Sequence, residues 1–121
     1  MPNRLVWCDI PCTDLARATR FSSAVLGAEV AKAMNFPGLS VTVLPHDAGG
    51  VSGCIFANAK DKPGETGPLV YLSCEGRLDE AVAAVEPAGG KVLKTPHTIG
   101  PYGTRAIILD SEGNRIALHT S

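Results

Sequence analysis

The apolar residues of this chain run through one order of elements twice, and that repetition constrains the fold more than any other feature. Val6, Cys8, Ile10 and Cys12 alternate with Trp7 and Asp9, which predicts a strand over residues 5–12. Thr13-Asp14 supplies a helix start, because Thr can cap and Asp suits the positive end of a helix. Leu15, Ala18, Phe21 and Val25 recur at helical spacing, with Arg17 and Arg20 off the stripe, until Gly27 stops the helix. Three short strands are expected at about 29–34, 39–45 and 51–57, parted by Pro37-Gly38 and Asp47-Ala48-Gly49-Gly50. A polar stretch, 60–67, then reads as a linker.

The pattern restarts beyond it. Val70, Leu72 and Cys74 share one face of a strand over 69–74, with Tyr71 and Ser73 on the other. Leu78, Ala81, Val82 and Val85 form a second helical stripe, closed by Pro87 and Gly89-Gly90. Strands follow at about 91–95, 104–109 and 114–120, the last two joined by the turn Asp110-Ser111-Glu112-Gly113. At one common offset Leu15 falls on Leu78, Ala18 on Ala81 and Gly27 on Gly90, as an internal duplication would give. The expectation is an α+β fold of two tandem βαβββ modules, 4–59 and 68–121, within a single domain. Each module has one helix to cover one face of a small sheet. The other faces must be covered by something else or enclose a cavity.

Composition excludes several classes. The chain has 121 residues, 45% hydrophobic and 19% charged, enough for a core without disulfide or metal. Its 11 Lys and Arg are scattered among 12 Asp and Glu, which offers no footprint for nucleic acid or an anionic membrane. No apolar run reaches the roughly 18 residues of a transmembrane helix. Met1-Pro2-Asn3-Arg4 precedes no signal core, so a cytoplasmic location is expected. Cys8, Cys12, Cys54 and Cys74 lack CxxC spacing and read as buried small hydrophobes in a reducing compartment.

Three segments carry a family resemblance: Ile10-Pro11-Cys12-Thr13-Asp14-Leu15-Ala16-Arg17-Ala18, Val25-Leu26-Gly27, and Leu109-Asp110-Ser111-Glu112-Gly113-Asn114-Arg115-Ile116-Ala117-Leu118-His119. With the paired βαβββ order, they resemble the vicinal oxygen chelate superfamily of glyoxalase I, bleomycin-resistance proteins and extradiol dioxygenases. Val6-Trp7, Pro45-His46-Asp47, Pro68-Leu69-Val70-Tyr71-Leu72 and Ile99-Gly100 look most like its glyoxalase-related bacterial branch. The resemblance implies curved mixed sheets forming a cup for a small ligand, often in a homodimer. It also implies metal ligands on the cup faces of the first and last strand of each module. Here those positions fall on Trp7, Tyr71 and Ala117, and residues 51–59 hold no carboxylate or His. Indole and methyl groups offer a divalent ion nothing, and neutral Tyr is a poor replacement for His. No metal and no other cofactor is therefore expected. Ser22-Ser23 stands where relatives often carry an aromatic residue.

Strand alternation puts Trp7, Asp9, Tyr71, Ser73, Arg115, Ala117 and His119 on the cup side. Trp7, Tyr71, Ser73, Arg115 and Tyr102 are the candidate ligand-binding residues, an aromatic lining with a few polar groups. Asp9 and His119 are the candidate catalytic pair, since a carboxylate can orient an imidazole and make it a general base. His46 and His97 are expected in loops, and a three-His metal site with His119 has no spacing to support it. Gly53 is expected to open the pocket by lacking a side chain. Two functional classes follow. One is a metal-free protein that binds an aromatic or amphipathic molecule. The other is a lyase, isomerase or dioxygenase relative that uses Asp9–His119 or a displaced metal. A pure interaction module would leave the cup unexplained.

Overall fold

The computed structural model describes residues 3–29, 34–36 and 39–121. Module one comprises β1 (Asp9–Cys12), α1 (Leu15–Leu26), β2 (Met34–Phe36), β3 (Leu39–Val43) and β4 (Cys54–Ala57). Module two comprises β5 (Val70–Ser73), α2 (Leu78–Val85), β6 (Lys91–Thr98), β7 (Thr104–Leu109) and β8 (Arg115–Thr120), with a short helical turn at Gly100–Tyr102. The described strands form two four-stranded sheets, ordered β1-β4-β3-β2 and β5-β8-β7-β6. In each, the first strand runs parallel to the last and the others pair antiparallel. The α+β order read from the sequence is thus realised twice.

Local chemistry explains the helix boundaries. Asp14 has extended backbone and its carboxylate accepts from the Arg17 N–H at 3.0 Å, a side-chain N-cap. Gly27 closes α1 in the left-handed region, φ 68°, where its N–H reaches the Ser23 carbonyl. The stripe residues Ala18, Phe21 and Val25 are buried, as are Leu78, Ala81 and Val85 of α2. The two helices pack on each other and on their own sheets. One core therefore spans both modules, joining Ile10, Phe21 and Ile55 to Val85, Ile108 and Leu118. Thr42 is fully buried and satisfied by the Thr19 hydroxyl at 3.2 Å.

Several boundaries differ from the pattern. The first strand begins at Asp9. Leu5 and Val6, read as strand residues with Val6 facing the core, are 78% and 73% exposed. They flank no partner strand, so alternation alone could not bury them. The strand expected at 29–34 lies largely outside the described residues. Strand β6 runs on through Pro96 to Thr98, so His97 is a strand residue paired with Arg105 and not a loop residue. Pro96 is tolerated because β6 is the sheet edge and its ladder shifts register between Lys94 and His97. No described helix is long and apolar enough to cross a membrane.

The resemblance-bearing turn holds the modules together. Gly113 donates its N–H to the Asp110 carbonyl at 3.2 Å, closing the expected hairpin. The Glu112 side chain is completely shielded and reaches into module one. It accepts from the N–H groups of Thr13 and Asp14 and from the Thr13 hydroxyl, each at 3.0 Å. The Arg17 guanidinium grips both of its oxygens, at 2.7 and 2.8 Å. Burial pushes the Glu112 carboxyl up, but these donors and the Ser111 hydroxyl together outweigh it and hold the group at about 2. Asn114 completes the join by donating to the Pro11 carbonyl at 2.7 Å and accepting from the Gly64 N–H at 3.2 Å. The stretch read as a linker is thereby pinned to the hairpin.

Candidate functional site

Alternation along β1 and β5 turns Ile10, Cys12 and Leu72 toward the helices and leaves Asp9, Tyr71 and Ser73 on the opposite side. β1 and β5 are end strands of their sheets, and both border one cleft of about 640 Å³. Leu5, Trp7, Val51, Leu69, Tyr71 and Ser73 line it. Its volume lies within the range of small-molecule sites, roughly 300–1,000 Å³. The core itself holds a void of only about 20 Å³, beside Phe21 and Ile108, with room for about one water.

On the module-one side, Asp9 is the common acceptor. The Trp7 indole N–H donates to its Oδ1 at 3.0 Å and the Cys54 thiol donates to the same oxygen at 3.2 Å. Burial, then this bond to Asp9 and its charge, push the Cys54 thiol up to about 11. His46 stands edge-on to Trp7 with ring centroids 6.4 Å apart. Gly53 borders the cleft, and the packing beside it also requires a glycine. A Cβ there would lie 2.3 Å from the Cys8 carbonyl oxygen, so β4 could not approach β1.

On the module-two side, Tyr71 is the centre. Its hydroxyl accepts from Arg105, whose guanidinium carbon lies 5.8 Å from the ring centroid. The Arg105 Nε donates to His97 Nε2 at 3.0 Å, and His97 Nδ1 donates to the Thr95 carbonyl at 2.9 Å. His119 is the register partner of both Arg105 and Ser73, and its ring meets Tyr71 edge-on at 6.1 Å. Its Nε2 donates to the Tyr102 carbonyl.

The residues singled out from sequence are thus partly gathered. Trp7, Tyr71 and Ser73 share the cleft. His119 and Arg105 stand against Tyr71. Asp9 and His119 are not joined: no hydrogen bond or ion pair links them among the described residues, and each is engaged within its own module. Tyr102 is 75% exposed and does not border the cleft; it contributes its carbonyl to His119. Arg115 turns to the linker, donating from Nη2 to the Gly67 carbonyl at 3.1 Å. His46, His97 and His119 form no cluster of potential metal ligands among the described residues. Arg105 is the residue sequence reading missed. The legible signal was a single charge in strand β7, on the face of Ile107 and Leu109.

Two βαβββ modules packed through their helices, with a cleft between their end strands, define a paired-module α+β class. The family model for the Glyoxalase/Bleomycin resistance protein/Dioxygenase superfamily matches residues 4–118, and the chain belongs to that superfamily. A glyoxalase I variant from Zea mays superposes with a TM-score of 0.74 at 19% identity, covering 98% of this chain and 46% of that one. This chain therefore spans about half the length of the maize protein. A glyoxalase/bleomycin resistance protein from Albidiferax ferrireducens superposes with a TM-score of 0.71 at 16% identity, covering 98% and 99%. For a glyoxalase-related enzyme from Fulvimarina pelagi the values are 0.68, 12%, 99% and 89%. No curated protein matches.

Proposed function

We propose that this protein binds a small organic molecule in the cleft between β1 and β5, without the superfamily's metal set. The observation that carries this reading is a cleft of about 640 Å³ with Trp7 on one side and Tyr71 on the other. Aromatic side chains on both walls suit an aromatic or amphipathic ligand.

The donor chemistry supports the metal-free part. Trp7 has only an N–H to offer, and it is given to Asp9. Tyr71 already takes a guanidinium on its oxygen, so a second cation there would be repelled. Ala117 has no donor and is fully buried. Strand β4 carries no His or carboxylate, and burial keeps its Cys54 protonated. These residues do not fit a divalent ion. The exposed apolar rim of Leu5, Val6, Trp7 and Tyr71 supports pairing of two copies at the same place, as the superfamily resemblance implies.

Trp7 is the single tryptophan, so its emission reports on the cleft directly. Titration with aromatic compounds is expected to change that emission saturably. Ser73→Trp fills the cleft and is expected to weaken binding, followed calorimetrically, by roughly tenfold or more. Unchanged affinity would place the ligand elsewhere. Elemental analysis of chelator-free protein is expected to find far less than one divalent ion per chain. A full equivalent would overturn the metal-free reading.

A further inference from the structure

The outer face of sheet two has one sign of charge. Strand pairing puts Lys91, Lys94 and His97 of β6 opposite Leu109, Ile107 and Arg105 of β7. Arg115 and His119 of β8 pair with Leu109 and Arg105 on that same face. Tyr71 and Ser73 of β5 complete it. None of these residues is a carboxylate. Glu75, whose charge reaches His119, is committed to the Ser121 N–H and to the Thr120 and Ser121 hydroxyls.

Arg105 stands near the start of the inner strand β7, half-buried, and donates to neutral acceptors. Its Nη2 donates to no acceptor among the described residues. A partly desolvated guanidinium without an anion is incompletely compensated, and its planar fork suits an oxyanion. His97 holds the fork in place, because its Nδ1 proton is committed to Thr95 and its Nε2 faces Arg105. Tyr71 joins this charge to the cleft. Its ring lines the apolar space, and its hydroxyl, having accepted from Arg105, keeps its own proton to donate.

We propose that Arg105, held by Tyr71 and His97 beside the cleft, binds the oxyanion of a small organic acid whose apolar body occupies the cleft. The proposal rests on the cleft being the ligand site and adds the chemical class of the ligand.

The test compares 2-naphthoate, 2-naphthyl phosphate and neutral 2-naphthamide by calorimetry and Trp7 emission. At least one anion is expected to bind roughly tenfold to hundredfold tighter than the amide, the range of a charge-assisted hydrogen bond. The tighter anion names the source, carboxylate or phosphate. Arg105→Gln is expected to bring both anions to the amide's affinity and leave the amide unchanged. Tyr71→Phe keeps the ring and removes the acceptor that positions Arg105. It is expected to weaken the tighter anion several-fold and by more than it weakens the amide, which keeps the idea testable if the Arg105 variant misfolds. Anions binding no better than the amide, or losing no more than it does in Arg105→Gln, would overturn the anion site while the cleft reading stood. Failure of all three compounds to bind would overturn both.

Discussion

Glu112→Gln isolates the join between the modules. The carboxylate sits wholly inside the protein and collects hydrogen bonds from Thr13, Asp14, Arg17 and Ser111. An amide of the same shape keeps one acceptor oxygen and turns two N–H donors toward the Arg17 guanidinium, which can only donate. The drop from 4.5 to about 2 corresponds to about 3 kcal/mol at about 1.4 kcal/mol per unit. Arg17 is 44% exposed, so solvent screens its share and about 2 kcal/mol is the working figure. For a chain of this size that lowers Tm by about 6–10 °C. The folded-state group is depressed, so its stabilisation is complete above about 4.5 and disappears as pH falls toward about 2. Urea titrations of both proteins from neutral pH to pH 2 provide the assay. The midpoint gap is expected to hold above pH 4.5 and close below it, with m unchanged. A gap under about 0.5 kcal/mol, or one that persists undiminished at pH 2, would refute the reasoning.

Two further outcomes follow from the same geometry. Gly53→Ala forces a Cβ onto the Cys8 carbonyl, which also accepts the Cys54 N–H at 2.9 Å. It is expected to destabilise by about 1–3 kcal/mol in thermal melts, and a neutral substitution would show that β1 and β4 can separate freely. Burial pushes the Cys12 and Cys54 thiols up to about 11 and raises Cys8 and Cys74 as well. Aromatic disulfide reagents at pH 8 are therefore expected to label native protein slowly, Cys8 first, and all four positions quickly in urea. Fast labelling of Cys54 in the native state would contradict its bond to Asp9.

The motif with the strongest family signal turned out to be structural. Asp110-Ser111-Glu112-Gly113-Asn114 makes the hairpin and fastens it to Pro11, Thr13, Asp14 and Arg17. Its residues do not line the cleft. The site was less legible. Tyr71 and Ser73 border the cleft because alternation along β5 turns them outward, and Trp7 borders it from the segment ahead of β1. Arg115 has the same parity as His119, yet the linker captures its side chain. Asp9 and His119 share a face type but belong to different sheets, and parity says nothing about distance between sheets.

The sequence by itself determined what is periodic or local: the two element orders, the buried stripes of both helices, the helix start at Thr13-Asp14 and its stop at Gly27, the hairpin turn and the outward faces of the strands, while which of Thr13 and Asp14 caps the helix was decided by the structure. These follow from repeats of 3.6 and 2 residues and from short-range hydrogen bonding. Only the tertiary structure decided which elements of the two modules meet. It set β1 beside β5 across a cleft, left Asp9 to Trp7 and Cys54, and stood Arg105 between His97 and His119. Those neighbours are fixed by sheet order and helix packing, which depend on the whole core and on no single stretch of chain.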